Sequence, residues 1–152
     1  MVVIVDATDS RAVRNKENVL ALYDLMINQK KSEEATAKFL RPDYIQHNPL
    51  IADGSIALGQ YFGKVTREHE RARVVVHKII AVGDYVFAHV NFLNLLTDDP
   101  EDTGIAGVDI YKMDADGKGV EHWDTLQLVG DPANSAPWVG HGIPRANSHG
   151  MF

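Results

Sequence analysis

The chain contains no cysteine. That excludes a disulfide scaffold, a zinc ribbon and a thiol nucleophile, and leaves the redox compartment open. Positive charge is also short. Fifteen lysines and arginines against 21 carboxylates give a net charge of −6, a field that repels nucleic-acid phosphates. Long apolar runs are missing too. No stretch approaches the ~20 residues of a membrane span, and the apolar run Val2-Val-Ile-Val5 has no basic leader and is too short for a signal segment. The expected partners therefore include neither nucleic acid nor membrane, and the expected location is the cytoplasm. A local basic stretch, Arg67, His69, Arg71 and Arg73, is interrupted by Glu68 and Glu70 and reads as a solvated helix end running into a strand. No glycine-rich phosphate loop, nucleophile elbow or helical His pair occurs.

What is present is an ordinary globular composition. The 152 residues are 45% hydrophobic and 24% charged, which fits one domain over 1–152, large enough for a core and an internal pocket. From about residue 130 the chain turns rich in Pro, Gly, Asn and Ser. This part reads as an irregular tail that either docks, with Trp138, Val139, Ile143 and Phe152 available for it, or is disordered.

The first half has helical period. Thr8 to Ser10 offer N-cap side chains, and Val19, Leu22, Tyr23, Met26 and Ile27 then form one apolar face running out at Asn28. A second helix follows from Ser32, with Glu33 and Glu34 at its positive end and Pro42 stopping it. Asp43-Tyr-Ile-Gln-His-Asn-Pro49 reads as a short extended segment, and a third helix spans Ser55 to about Arg71. Its Gly59 and Gly63, four apart, allow another element to pack closely. The second half changes to period two. Residues 73–80, 85–93, 105–113 and 120–128 read as strands, with hairpin turns at Gly83-Asp84 and Asp114 to Gly117. Asp-rich Thr97 to Thr103 reads as a solvated loop, lacking the ligand spacing of a calcium loop. The fold class expected is α+β, with three N-terminal helices on one face of a mostly antiparallel sheet.

The polar residues of the strands carry the chemistry. Phe87, His89, Asn91 and Leu93 share one face of their strand; Val86, Ala88, Val90 and Phe92 share the other, which is wholly apolar and must be covered by helices or by a partner. Asp109 lies with Gly107, Tyr111 and Met113, and His122 with Asp124. If these faces coincide, two acids, two imidazoles and an amide form one cluster, suited to general acid–base chemistry. A one-residue slip in the Asp114 to Gly117 turn would separate them. The other reading is a set of satisfied polar residues on a solvated sheet face. A metal is not expected, and His77 reads as a surface residue.

Asp43-Tyr-Ile-Gln-His-Asn-Pro-Leu50, Gly107-Val-Asp-Ile-Tyr-Lys-Met113 and Val120-Glu-His-Trp-Asp124 resemble the SnoaL-like polyketide cyclase family of the nuclear transport factor 2-like superfamily. The Gly-Met-Phe ending is similar as well. The resemblance covers roughly residues 12–128. It implies a cone-shaped fold with a curved sheet enclosing an apolar pocket, a homodimer, and ring-closing aldol chemistry without metal or cofactor. Asp124 matches the family's acid/base aspartate, whereas Asp109 stands where a His is common. Steroid isomerases of the same superfamily are similar at Tyr23, His47 and Asp109, but His47 replaces their basic Asp. An epoxide hydrolase reading would need an arginine beside two aspartates, with Arg73 as the candidate.

The expectation is a cofactor-free enzyme acting on a small apolar, carbonyl-bearing ligand by cyclase or isomerase chemistry. Asp124, Asp109, His122 and His47 are the catalytic candidates, and Tyr23, His89, Asn91, Tyr111 and Phe62 the substrate-binding ones. The alternative is a non-catalytic small-molecule binder or dimeric adaptor of the same fold.

Overall fold

The computed structural model describes residues 1–130, 147 and 149–152. Its elements run β1 (Val2–Val5), α1 (Ser10–Tyr23), a π-helical turn (Asp24–Asn28), α2 (Ser32–Phe39), β2 (Leu40–Gln46), α3 (Ser55–Glu68), β3 (Arg73–Val82), β4 (Tyr85–Leu93), β5 (Ile105–Met113) and β6 (Gly119–Leu128). The six strands form one sheet in the order β1-β3-β4-β5-β6-β2. The stretch β3 to β6 is an antiparallel meander, and β1 and β2 join its edges in parallel. The three helices cover one face, making this an α+β fold.

Local chemistry explains the helices. Asp9 caps α1 by accepting the amides of Arg11 and Ala12 at 3.0 and 3.1 Å. Val19, Leu22, Tyr23, Met26 and Ile27 then all enter the core. The close packing expected of the glycine pair occurs at Gly59. A Cβ there would lie 2.6 Å from Thr36 Oγ1, so α2 and α3 touch only because the side chain is missing.

Two boundaries differ from the sequence expectation. The third helix stops at Glu68, with His69 already extended. Strand β2 starts at Leu40, directly after α2.

The β5–β6 turn fixes the register that the sequence leaves open. Asp114 Oδ1 accepts the amides of both Asp116 and Lys118 at 2.9 Å, and Gly117 adopts the left-handed conformation at φ 80°. Asp109 thereby pairs with Asp124, and Tyr111 with His122.

One face expectation is corrected. Asp109 stands opposite Ala88 of β4, so the apolar residues Val86, Ala88, Val90 and Phe92 point to the helices and are buried. His89 and Asn91 consequently lie on the outer face, apart from Asp109. The helices, not a partner, cover the apolar side. The tail readings at Trp138, Val139 and Ile143 fall outside the described residues.

Candidate active site

The inner face of β5 and β6 meets the end of α1 and the end of β2 at one polar cluster. Asp109 is 2% exposed and His122 6%. Both Asp109 oxygens are engaged: Oδ2 accepts the Tyr23 hydroxyl, and Oδ1 lies 3.2 Å from His122 Nε2. His122 Nδ1 is 2.9 Å from Oε1 of Gln46, which sits beside it on β2. Asp124 is half-buried, and its Oδ2 accepts the Asn48 side-chain amide at 2.7 Å. Asn48 is itself fixed, since its Oδ1 accepts the Leu50 amide at 2.9 Å.

This cluster closes one end of a cavity of about 180 Å³. Its walls are apolar, with Met26, Leu58, Phe62, Leu95 and Ile105 among them, and among the described residues no lysine or arginine lines it. An uncharged ligand with an apolar body suits such a space.

Three phenols surround the cluster. Burial, and then the Asp109 charge, hold Tyr23 and Tyr111 well above the ordinary value of 10.0. Tyr44 is raised by burial and by Asp109 and Asp124; the nearby Gln46 amide opposes that rise without reaching a hydrogen bond of normal geometry. All three phenols are thus uncharged donors at neutral pH.

Asp109, His122 and Asp124 also bring one donor atom each within 4.8 Å of one another, the only such group among the described residues. These are the residues that could hold a cation. Tyr23 and His122 already engage both Asp109 oxygens, and Asn48 donates to Asp124 Oδ2.

Of the residues singled out in the sequence, Asp109, His122, Asp124, Tyr23, Tyr111 and Phe62 line the cavity. Three do not. His47 lies on the outer face, stacked on Trp123 at 4.9 Å with Nε2 2.9 Å from Glu121, because the pleat of β2 turns Tyr44, Gln46 and Asn48 inward. His89 contacts Lys78 at 3.3 Å and stacks on Phe152 at 5.3 Å. Asn91 donates to the Thr103 carbonyl at 3.2 Å. Tyr44, Gln46 and Asn48, none of them a candidate from the sequence, also line the cavity. Their alternation within Asp43 to Asn48 was the available signal.

A profile of the SnoaL-like domain matches residues 19–122. The chain belongs to the SnoaL-like family. No curated protein matches this SnoaL-like chain. Solved structures do, on fold. A candidate polyketide cyclase from Bacillus cereus aligns at TM-score 0.69 and 19% identity, covering 82% of this chain and 83% of its own. A candidate SnoaL-like polyketide cyclase from Jannaschia aligns at 0.63 and 17%, covering 93% and 100%. A steroid delta-isomerase from Pseudomonas aeruginosa aligns at 0.55 and 15%, covering 75% and 80%. At these identities the SnoaL-like chain shares their fold, and its chemistry has to be argued from its own residues.

Proposed function

We propose that this protein is a cofactor-free enzyme that moves a proton on the carbon next to a carbonyl of an apolar ligand, the step shared by aldol cyclases and ketone isomerases. One observation carries the reading. At the polar end of an apolar cavity stand two facing carboxylates with unequal engagement, Asp109 with both oxygens bonded and Asp124 with only Oδ2 held among the described residues. Asp124 is the base: it takes the α-proton as the C–H bond breaks. The electron pair moves to the carbonyl oxygen, and the proton shared within the Asp109, His122 and Tyr23 network meets that oxygen.

The test is deuterium exchange at the α-carbon of 2-tetralone in D2O, followed by NMR. The protein should accelerate exchange far beyond an equal concentration of Asp124→Asn. Tetralone binding without any acceleration would favour the small-molecule binder.

Assembly as a homodimer belongs to the same proposal. Ile80, Val82, Tyr85, Phe87 and Val108 share the outer sheet face and are 37–68% exposed, an apolar strip suited to burial across a two-fold axis. Sedimentation should show a dimer that Phe87→Glu dissociates; a wild-type monomer at micromolar concentration would refute it. Among the described residues, no helix is long and apolar enough to cross a membrane.

A further inference from the structure

The side-chain amide of Gln46 has one end that accepts and one that donates, and two neighbours settle which end faces His122. The backbone N–H of Asn48 lies 3.0 Å from Gln46 Oε1. A backbone N–H requires an acceptor, so the oxygen must occupy that place. The same oxygen is 2.9 Å from His122 Nδ1. An amide oxygen only accepts, so Nδ1 must carry a hydrogen. The other ring nitrogen, Nε2, then faces Asp109 Oδ1 at 3.2 Å. A bare Nε2 lone pair against an ionised carboxylate would be repulsive at that distance, so one proton must lie between them. Tyr23 cannot supply it, because its hydrogen is already donated to Asp109 Oδ2.

We propose that Gln46 is a positioning residue. It holds His122 with Nδ1 protonated, and thereby obliges the Asp109–His122 pair to store one proton beside Asp124. That stored proton is the one the reaction lends to the carbonyl oxygen, so the proposal extends the enzyme reading given above. Gln46 acts through the imidazole that its oxygen holds. Without its oxygen the ring is free to turn its single hydrogen toward Asp109, and the stored proton is lost.

The test reads the His122 ring nitrogens by long-range 15N NMR at neutral pH in the full chain. Wild type should show a protonated Nδ1. Gln46→Leu should move the hydrogen to Nε2, and Gln46→Glu, whose carboxylate also accepts from Nδ1, should restore the wild-type signal. Tetralone exchange should fall at least about tenfold in Gln46→Leu and recover in Gln46→Glu, part of what a general acid–base group is worth. A bare Nδ1 in wild type overturns the proposal with no variant needed. So does a Gln46→Leu spectrum identical to wild type at His122. If the tautomers behave as expected while wild type exchanges no deuterium, the enzyme reading falls and the role of Gln46 in setting the tautomer stands.

Discussion

Asp109 and Asp124 face each other directly across β5 and β6 on the inner side of the sheet. Like charges at cross-strand positions repel, and two ionised carboxylates in a dry pocket would be costly. The protein separates their surroundings. Both border the cavity, but Tyr23 and His122 engage both oxygens of Asp109, whereas Asn48 holds only Oδ2 of Asp124 among the described residues. One carboxyl group is thereby a fixed member of a buried network, and the other is left for a ligand.

Substitution should separate the two. Asp124→Asn keeps the size of the side chain and an oxygen for the Asn48 amide, so the melting temperature should move little while α-proton exchange falls about a hundredfold or more. Asp109→Ala removes the partner of both the Tyr23 hydroxyl and His122 Nε2. Leaving two buried groups unpaired should cost roughly 2–5 kcal/mol, visible as a lower urea midpoint. Full stability in Asp109→Ala would refute the network.

The sequence makes the helices and the meander legible because both rest on local periodicity. The apolar face of α1 and the alternation of β4 are found where expected. Which face of β4 turns inward is a tertiary matter, yet a clue was available: the wholly apolar face Val86 to Phe92 belongs under the helices, and polar His89 and Asn91 belong outside. The pairing of β2 with β6 joins Gln46 to His122 across 76 residues, and no local pattern encodes it. Alternation puts Gln46 and Asn48 on one face and His47 on the other, but the long-range pairing decides which face meets the cavity. The short exposed strand β1 likewise has no alternation to read.

The buried phenols predict a sharp alkaline limit. Tyr23, Tyr44 and Tyr111 are all raised by burial, so the folded protein favours their neutral form. Stability should be intact below the ordinary phenol value of 10.0 and decline as the pH rises past it, because the unfolded chain ionises where the folded one resists. Phenolate absorbance from these three residues should appear together with loss of far-UV circular dichroism. Their titration in a still-folded protein would contradict the burial.

At the other end of the pH scale the β5–β6 turn is the sensitive point. Burial alone would raise the Asp114 carboxyl, but the Lys118 amide, the Arg41 guanidinium and the Asp116 amide together bring it below its usual value of 3.8. Its contribution is therefore present above pH 3.8 and lost as the pH falls through the lower folded value. Asp114→Asn should reduce stability at pH 7 by about 1–2 kcal/mol, and the gap to wild type should narrow below pH 3.8. An equal gap at both pH values would show that the charge of Asp114 is not what holds the turn.

The C-terminal residue offers an independent check on the outer face. Phe152 stacks on His77 at 4.3 Å and on His89 at 5.3 Å. Both imidazoles are lowered from 6.5, first by burial and then by the Lys78 charge; the amino terminus adds to this at His77, and His77 adds to it at His89. A chain ending at Met151 loses the ring but keeps Lys78 and the amino terminus. Both histidines should then titrate at higher pH than in the full chain, while staying below 6.5 because the neighbouring charge persists. Proton NMR of the imidazole resonances resolves this directly. Unmoved titration curves would mean that Phe152 does not shield these rings in solution, and that other residues of the outer face supply the burial that lowers them.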